Sequence, residues 1–377
     1  MRPHWDNCIT HFDDAVDSFV VDYFAGEGRT CLLVAGAGFD PRARLVAQRL
    51  SAAMGNRLEA LFIREDRLDV AEDLKDAAAA NEQALRELVP RCDVQHISVF
   101  AEDLAPVGGA RISRLLNQRE WPQVTDVVLD LSALSVGIGF PAAKLLLEKC
   151  ESLPQVSFHL MVTSNPELDA RIIGEPSAGA VTIRGFAGEA VASAELPLAQ
   201  VWLPQLAPRK QLVLQKINGG GSGYKVCPIL PFPARDPRRA DALLAEYEPE
   251  LRNEWQVDSR DLIYVSERNP LDTYRTVSTL KQRYDATFAD VYTPQIILSP
   301  VGSKVMAAGA LMAAIEHNLV VRHVESLRYE LDSGAADASA GPDMIVHVWL
   351  HGPVYAGYFP PPLTPTVPPD APAESDA

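Results

Sequence analysis

The chain is poor in cationic charge, in closely paired cysteines and in long apolar runs, and each shortage removes a class of function. Lysine and arginine together number 34 against 50 for aspartate and glutamate, a formal net charge of -16. A field of that sign repels phosphate backbones and anionic bilayers, so neither duplex nucleic acid nor a membrane is an expected partner. The five cysteines, Cys8, Cys31, Cys92, Cys150 and Cys227, lack the short spacing of zinc or thiol-redox sites. Cys31 and Cys227 lie inside apolar runs, where a free thiol behaves as a small core residue, and this suits a reducing cytoplasm. No stretch approaches the roughly twenty apolar residues of a membrane span. Met1 to Asp14 carries charge and histidine where a signal peptide has its apolar centre. A soluble, cytoplasmic protein is the expectation.

Catalytic signatures are equally scarce. There is no Gly-x-Ser-x-Gly elbow. Gly221-Ser-Gly-Tyr-Lys225 lacks the Gly-Lys-Ser/Thr order of a phosphate loop and leads into an expected strand, so it reads as a flexible hairpin. The pairs His4 and His11, and His347 and His351, have no further ligands nearby in sequence, and no metal site is predicted. Nothing in the chain names a cofactor.

What is present is an alternation of apolar runs and helical patterns. After an amphipathic helix expected from Asp6 to Ala25, strands are predicted at 30–35, 58–63, 94–100, 124–131 and 156–162. Helical patterns separate them. Buried runs without alternation, separated by helices, imply parallel strands with right-handed crossovers. From Ser164 to Pro208, short runs broken by Gly and Pro read as a connector with antiparallel strands. A second alternating set follows, with strands expected at 212–217, 226–230, 262–265, 295–298, 319–324 and 344–350. Its helices are expected at 240–255, 273–284 and 304–316. The fold class is therefore α/β: two Rossmann-like halves with mostly parallel, doubly wound sheets, joined by a β-rich connector. The divisions are an N-terminal helix at 1–25, halves at 26–170 and 211–355, the connector at 171–210, and a Pro- and Ala-rich disordered tail at 356–377. Asp332 to Pro342 reads as a mobile loop.

Candidate ligand residues sit where such sheets collect ligands, at the carboxyl ends of strands. Gly36-Ala-Gly38-Phe-Asp40-Pro-Arg42 joins the first strand to its helix. Two glycines there let backbone amides approach an anion, and Arg42 adds charge. Pro41 replaces the third glycine of the dinucleotide fingerprint, which argues against ordinary NAD binding. Asp40 before Pro41 also reads as an N-cap with proline at the first helical position. Arg64-Glu-Asp-Arg67, ending the second strand, reads as a ribose contact or a solvated turn. Asp130-Leu-Ser132-Ala-Leu-Ser135 ends a central strand and offers hydroxyls. Its counterpart is Ser299-Pro-Val-Gly-Ser303-Lys304, where Lys304 supplies a point charge for a phosphate and Ser303 or Ser299 caps the helix. Glu267 to Arg275 opens another helix, with Asp272 as its expected cap.

The turn Ser299-Pro-Val-Gly302-Ser303-Lys304 in the second half resembles the ligand turn of CRISPR-associated Rossmann-fold (CARF) sensor domains. The resemblance covers this turn and the general fold of that half. It implies that a hydroxyl and a downstream basic residue contact a cyclic oligonucleotide. The leading expectation is a sensor or regulatory component binding a nucleotide or other phosphorylated small molecule. Two alternatives stand beside it. One is an enzyme of nucleotide or sugar-phosphate metabolism using Asp40, Asp130 or Glu267 as acid or base. The other is a scaffold subunit, and a homo-oligomer or protein partner is compatible with either.

Overall fold

The computed structural model describes residues 5–188, 196–219, 224–288, 291–332 and 343–356. In chain order the strands of the first half are β1 (Thr10–Phe12), β2 (Cys31–Gly36), β3 (Leu58–Asp66), β4 (Cys92–Ser98), β5 (Asp126–Asp130) and β6 (Ser157–Ser164). Those that follow are β7 (Ile172–Pro176), β8 (Val181–Ala187), β9 (Leu198–Pro204), β10 (Tyr224–Val226), β11 (Ile229–Pro231) and β12 (Ile263–Val265). The last are β13 (Thr293–Ser299), β14 (Val320–His323), β15 (Ser326–Leu331) and β16 (Met344–His351).

The larger sheet has seven strands in the order β1-β16-β6-β5-β2-β3-β4. Its five central and outer strands β6, β5, β2, β3 and β4 run parallel, whereas β16 is antiparallel to both β6 and β1. The second sheet has the order β10-β9-β13-β14-β8, parallel except for β8. The molecule is thus α/β with two mostly parallel sheets. The four strands β3-β2-β5-β6 and the four strands β10-β9-β13-β14 share one order, so the repeated element pattern in the sequence is a repeated topology.

Two helices follow the corresponding strands β5 and β13. They are α5 (Val136–Glu151) and α10 (Lys304–Glu316). Their small residues have a physical cause. Every residue from Val305 to Ala314 is buried, a pattern of a helix enclosed on all sides rather than one with a wet face. It packs on α9 (Pro270–Phe288) and on β6 of the other half, while α5 packs on β8 of the second sheet. Each half therefore lends one helix to the other's sheet, and alanine and glycine permit the close approach. Gly309 shows this most sharply, since a Cβ there would lie 2.1 Å from the Pro270 carbonyl oxygen.

Several sequence expectations are corrected. Residues 212–217 form part of a helix, α7 (Gln211–Asn218), with Leu214 and Ile217 buried; a short apolar run does not by itself distinguish strand from helix. Val201 to Leu203, assigned to the connector, lies in β9 at the interior of the second sheet, and only β8 of that region joins it antiparallel. The run 344–350 does not finish the second sheet. It crosses back as β16 and completes the first. The N-terminal segment is not one helix: β1 precedes a short helix α1 (Asp14–Phe19) and a π-helical turn, Val20–Phe24, with Asp13 at φ 48° between β1 and α1. Asp272 lies inside α9 and accepts from the Ser266 amide at 2.6 Å, while Asn269 accepts from the Leu271 amide at the helix start. The tail from 357, the loop at 333–342 and the glycine run at 220–223 lie outside the described residues.

Candidate ligand cavity between the two sheets

Because both sheets are built from parallel strands of the same order, each presents a row of carboxyl-end turns, and a single cavity of about 550 Å³ is walled by both rows. From the first half come Gly38 to Asp40, Arg42, Arg64 to Arg67 and Ser132 to Val136. From the second come Leu206 to Pro208, Lys210, Pro300 to Lys304 and His323. The two turns singled out in the sequence as separate candidates thus face one space, and Lys304 Nζ donates to the Leu134 carbonyl of the opposite turn.

Of the ten sequence candidates, Gly38, Asp40, Arg42, Ser132, Ser135, Ser303 and Lys304 line this cavity. Gly36, Asp130 and Ser299 stand behind it. A Cβ on Gly36 would lie 2.8 Å from the Ala133 carbonyl oxygen, so this glycine lets β2 approach the β5–α5 turn. Ser299 is buried and accepts from Trp202 Nε1 at 2.9 Å. Gly38 has open space where its side chain would be, and its carbonyl accepts from Asn81 Nδ2 at 2.8 Å.

Asp40 performs the capping role: its side chain accepts from the Arg42 amide at 2.9 Å, with Pro41 opening the helical turn. It also grips the Arg42 guanidinium, which donates through Nη2 to Asp40 Oδ2 at 2.6 Å and to Asp169 Oδ1 at 2.7 Å. Burial alone would raise the Asp40 pKa, but the Arg42 charge and hydrogen bonds outweigh it and hold the carboxyl below its usual range. Arg42 itself is 1% exposed, and its Nη1 has no hydrogen-bond partner among the described residues. A buried guanidinium N–H without an acceptor carries a desolvation cost.

The helix start at Ser135 is already occupied. Glu65 Oε1 accepts from the Ser135 amide at 2.7 Å, and Glu325 stands where a Cβ on Gly137 would be. Arg67 holds both carboxylates, donating through Nη2 to Glu65 Oε2 at 2.8 Å and through Nη1 to Glu325 Oε2 at 3.2 Å. Arg67 also lies 4.9 Å from the centre of the Tyr329 ring. Arg64-Glu-Asp-Arg67 is therefore neither a free ribose contact nor a wholly solvated turn, because its Glu65 and Arg67 form a buried brace for α5.

Two ammonium groups have no such carboxylate. Lys304 and Lys210 both line the cavity, and neither forms an ion pair among the described residues. Burial lowers the pKa of each; at Lys304 the Arg42 charge adds to the effect while Asp169, Asp40 and Glu65 oppose it, and at Lys210 Asp169 opposes it while Lys304 adds to it. Lys210 was missed from the sequence, yet a signal existed. It stands six residues beyond the end of β9, as Arg42 stands six beyond the end of β2. Recognising β9 as a strand would have revealed the match. Glu267, also on the wall, is buried with its pKa raised by desolvation, Arg239 opposing the shift from 3.6 Å.

Asp130 is 1% exposed, and burial pushes its carboxyl up to about 7. Oδ1 accepts from the Ser132 amide at 2.9 Å and from its hydroxyl, while Oδ2 has no partner among the described residues. The raised pKa means the unfolded chain ionises first, so the stability this group contributes is present below about pH 4 and lost as pH rises through about 7. Asp130→Asn, which resembles the neutral acid, is expected to raise Tm at pH 8 and leave it nearly unchanged at pH 4. Thermal unfolding at the two pH values checks this.

No family model matches the chain, and no curated protein matches it. Among solved structures, the CcbJ methyltransferase of Streptomyces caelestis aligns at 14% identity and a TM-score of 0.20, over 45% of this chain and 58% of that one. The NH3-dependent NAD synthetase of Campylobacter jejuni, solved with a nitrate ion, aligns at 11% identity and a TM-score of 0.20, over 81% of this chain and 92% of that one. The α/β architecture rests on the strand order described above. No helix among the described residues is long and apolar enough to cross a membrane.

Proposed function

We propose that the cavity binds a phosphorylated small molecule, a nucleotide above all, and that the protein acts as a sensor or regulatory component. The observation that carries this is that two ammonium groups without an ion pair among the described residues, Lys304 and Lys210, line one cavity in a protein of net charge -16. A buried ammonium group without a direct ion pair is costly in the empty protein and becomes favourable when an anion accepts from it. Both halves wall the cavity, so binding would tie their relative positions together, as a regulatory ligand must if it is to shift a conformational equilibrium. The resemblance of the Ser299 to Lys304 turn to CARF domains agrees with this role and places cyclic oligonucleotides in the panel to be tested.

Thermal-shift titration with nucleotides, cyclic oligonucleotides and sugar phosphates tests the proposal. A ligand at a hundred times its Kd stabilises the native state by about 2.7 kcal/mol, a readily measured rise in Tm. Lys304→Ala and Lys210→Ala are each expected to weaken binding about tenfold or more, since a hydrogen bond to a charged group contributes about 1.5–3 kcal/mol. Gly38→Val, whose side chain enters open space, should block binding while leaving the melting temperature of the unliganded protein nearly unchanged. Silence across the panel would transfer the weight to a scaffold role. A second reading rests on Glu267: a buried carboxyl of raised pKa on the cavity wall is suited to general acid or base work. Turnover of a bound ligand, lost in Glu267→Gln with binding retained, would establish an enzyme.

A further inference from the structure

On the larger sheet, at the opposite end of β5 from the cavity, four adjacent strands each place one polar group in a line. Asp126 begins β5, His159 lies in β6, His347 in β16 and His11 in β1. His159 Nε2 is 3.1 Å from Asp126 Oδ1, His159 Nδ1 is 2.9 Å from His347 Nε2, and His347 Nδ1 is 3.0 Å from His11 Nδ1. The imidazoles are hydrogen-bonded in sequence rather than converging on a point. His159 and His347 are wholly buried, whereas His11 is half-buried at the sheet edge. Phe19 covers the line, stacking on His11 at 4.4 Å and on His347 at 4.3 Å, and Trp349 lies 4.7 Å from His159.

The carboxylate fixes the direction of every bond. Asp126 also receives Tyr23 Oη at 2.9 Å, Thr125 Oγ1 at 2.6 Å and Arg29 Nη1 at 3.4 Å. Burial would raise its pKa, but the His159 hydrogen bond and its other donors hold it below the ordinary value, so it is ionised and only accepts. His159 must then donate through Nε2 and accept at Nδ1. His347 must donate through Nε2 and accept at Nδ1, and His11 must donate through Nδ1. One lone pair remains, on His11 Nε2.

We propose that His11, His347, His159 and Asp126 form a proton relay, which takes up a proton at the sheet edge and stores it in the interior beside the Asp126 carboxylate. A proton adds to His11 Nε2. The Nδ1 proton of His11 passes to His347 Nδ1, and the Nε2 proton of His347 passes to His159 Nδ1. The result is one added proton and one added charge, held as a His159 imidazolium against ionised Asp126, with His11 and His347 left neutral in the opposite tautomers. The other titratable groups around the line are Tyr23 on the π-helical turn, Arg29 in the loop before β2, Cys31 on β2 and Cys150 on α5. Arg29 shares Asp126 with the new imidazolium, so acidification weakens the tie between that loop and β5 and makes the N-terminal docking pH-sensitive. Burial lowers the pKa of all three histidines, which sets uptake below the usual midpoint of about 6.5.

Nitrogen-15 NMR of the full chain with labelled histidine, from pH 5 to 8, tests the relay. The expected neutral state has His11 in the less common Nδ1–H form, with His159 and His347 as Nε2–H. On acidification the three signals should move with one shared midpoint below 6.5, His11 and His347 changing tautomer and His159 becoming doubly protonated. In His347→Phe, which keeps a ring against Phe19, His11 should titrate alone and His159 should stay silent. His11→Gln, altered at the half-buried end, should remove the shared transition without emptying the core. An Nε2–H form of His11 at neutral pH, or three independent midpoints in the unaltered protein, would overturn the proposal whether or not the variants fold.

Discussion

Arg42→Ala is expected to lower the stability of the unliganded protein by about 3 kcal/mol, the scale for leaving a buried carboxylate without its partner. Asp40 keeps its bond to the backbone amide of residue 42, and the Asp169 side chain is 30% exposed, so neither orphan reaches the upper end of that scale. The loss should shrink at acid pH, where the orphaned carboxylates take up protons, and chemical denaturation at pH 7 and pH 4 separates this from a simple packing defect. A loss independent of pH would mean that the guanidinium contributes by filling space. Arg42→Lys retains the charge but cannot span Asp40 and Asp169 with a planar fork, and it is expected to recover less than half of the stability.

The second large effect concerns Gly309, which touches no ligand. A Cβ at this position would meet the Pro270 carbonyl oxygen at 2.1 Å and the Thr273 Cβ at 2.7 Å. The first of these is backbone in the opening turn of α9, so the helix itself must move. Gly309→Ala is expected to cost about 3 kcal/mol, at the upper end of overpacking penalties. Because α10 begins at Lys304 and Glu267 lies three residues before the start of α9, the same displacement reaches two cavity residues. Ligand affinity should fall with stability, whereas Lys304→Ala should weaken binding without a stability loss of that size. Equilibrium denaturation and ligand titration on both variants distinguish the two patterns.

The sequence made the fold class readable because apolar runs such as Cys31 to Gly36 are buried on both faces and carry no alternation. It failed at short elements whose identity depends on distant partners. Leu212 to Ile217 has too few residues for periodicity to separate helix from strand. Val201 to Leu203 sits between Pro197 and Pro204, which obscure a central strand. Nor does local pattern reveal that β16 pairs with β6, since register between strands 180 residues apart in the chain is a property of the whole fold. The candidate site was legible in its turns, where Gly38, Asp40, Arg42, Ser303 and Lys304 share strand-end positions. That the turns face one another was not, because the packing of α5 and α10 on opposite sheets and the return of β16 bring the halves together. The histidine line was invisible for the same reason: His11, His159 and His347 are neighbours across strands and far apart along the chain.

The return of β16 to the first sheet has a consequence for how the protein is made. Chains emerge amino end first, and domains commonly fold as they appear. Here β6 is fully buried in the finished molecule, yet its outer partner is not synthesised until residues 344–351. Throughout translation of the second half, the nascent first sheet exposes an unpaired, apolar strand edge, the kind of surface that recruits foreign strands. A ribosome stalled before Met344 would hold an aggregation-prone intermediate, and a chaperone acting on this protein would be needed longest at β6.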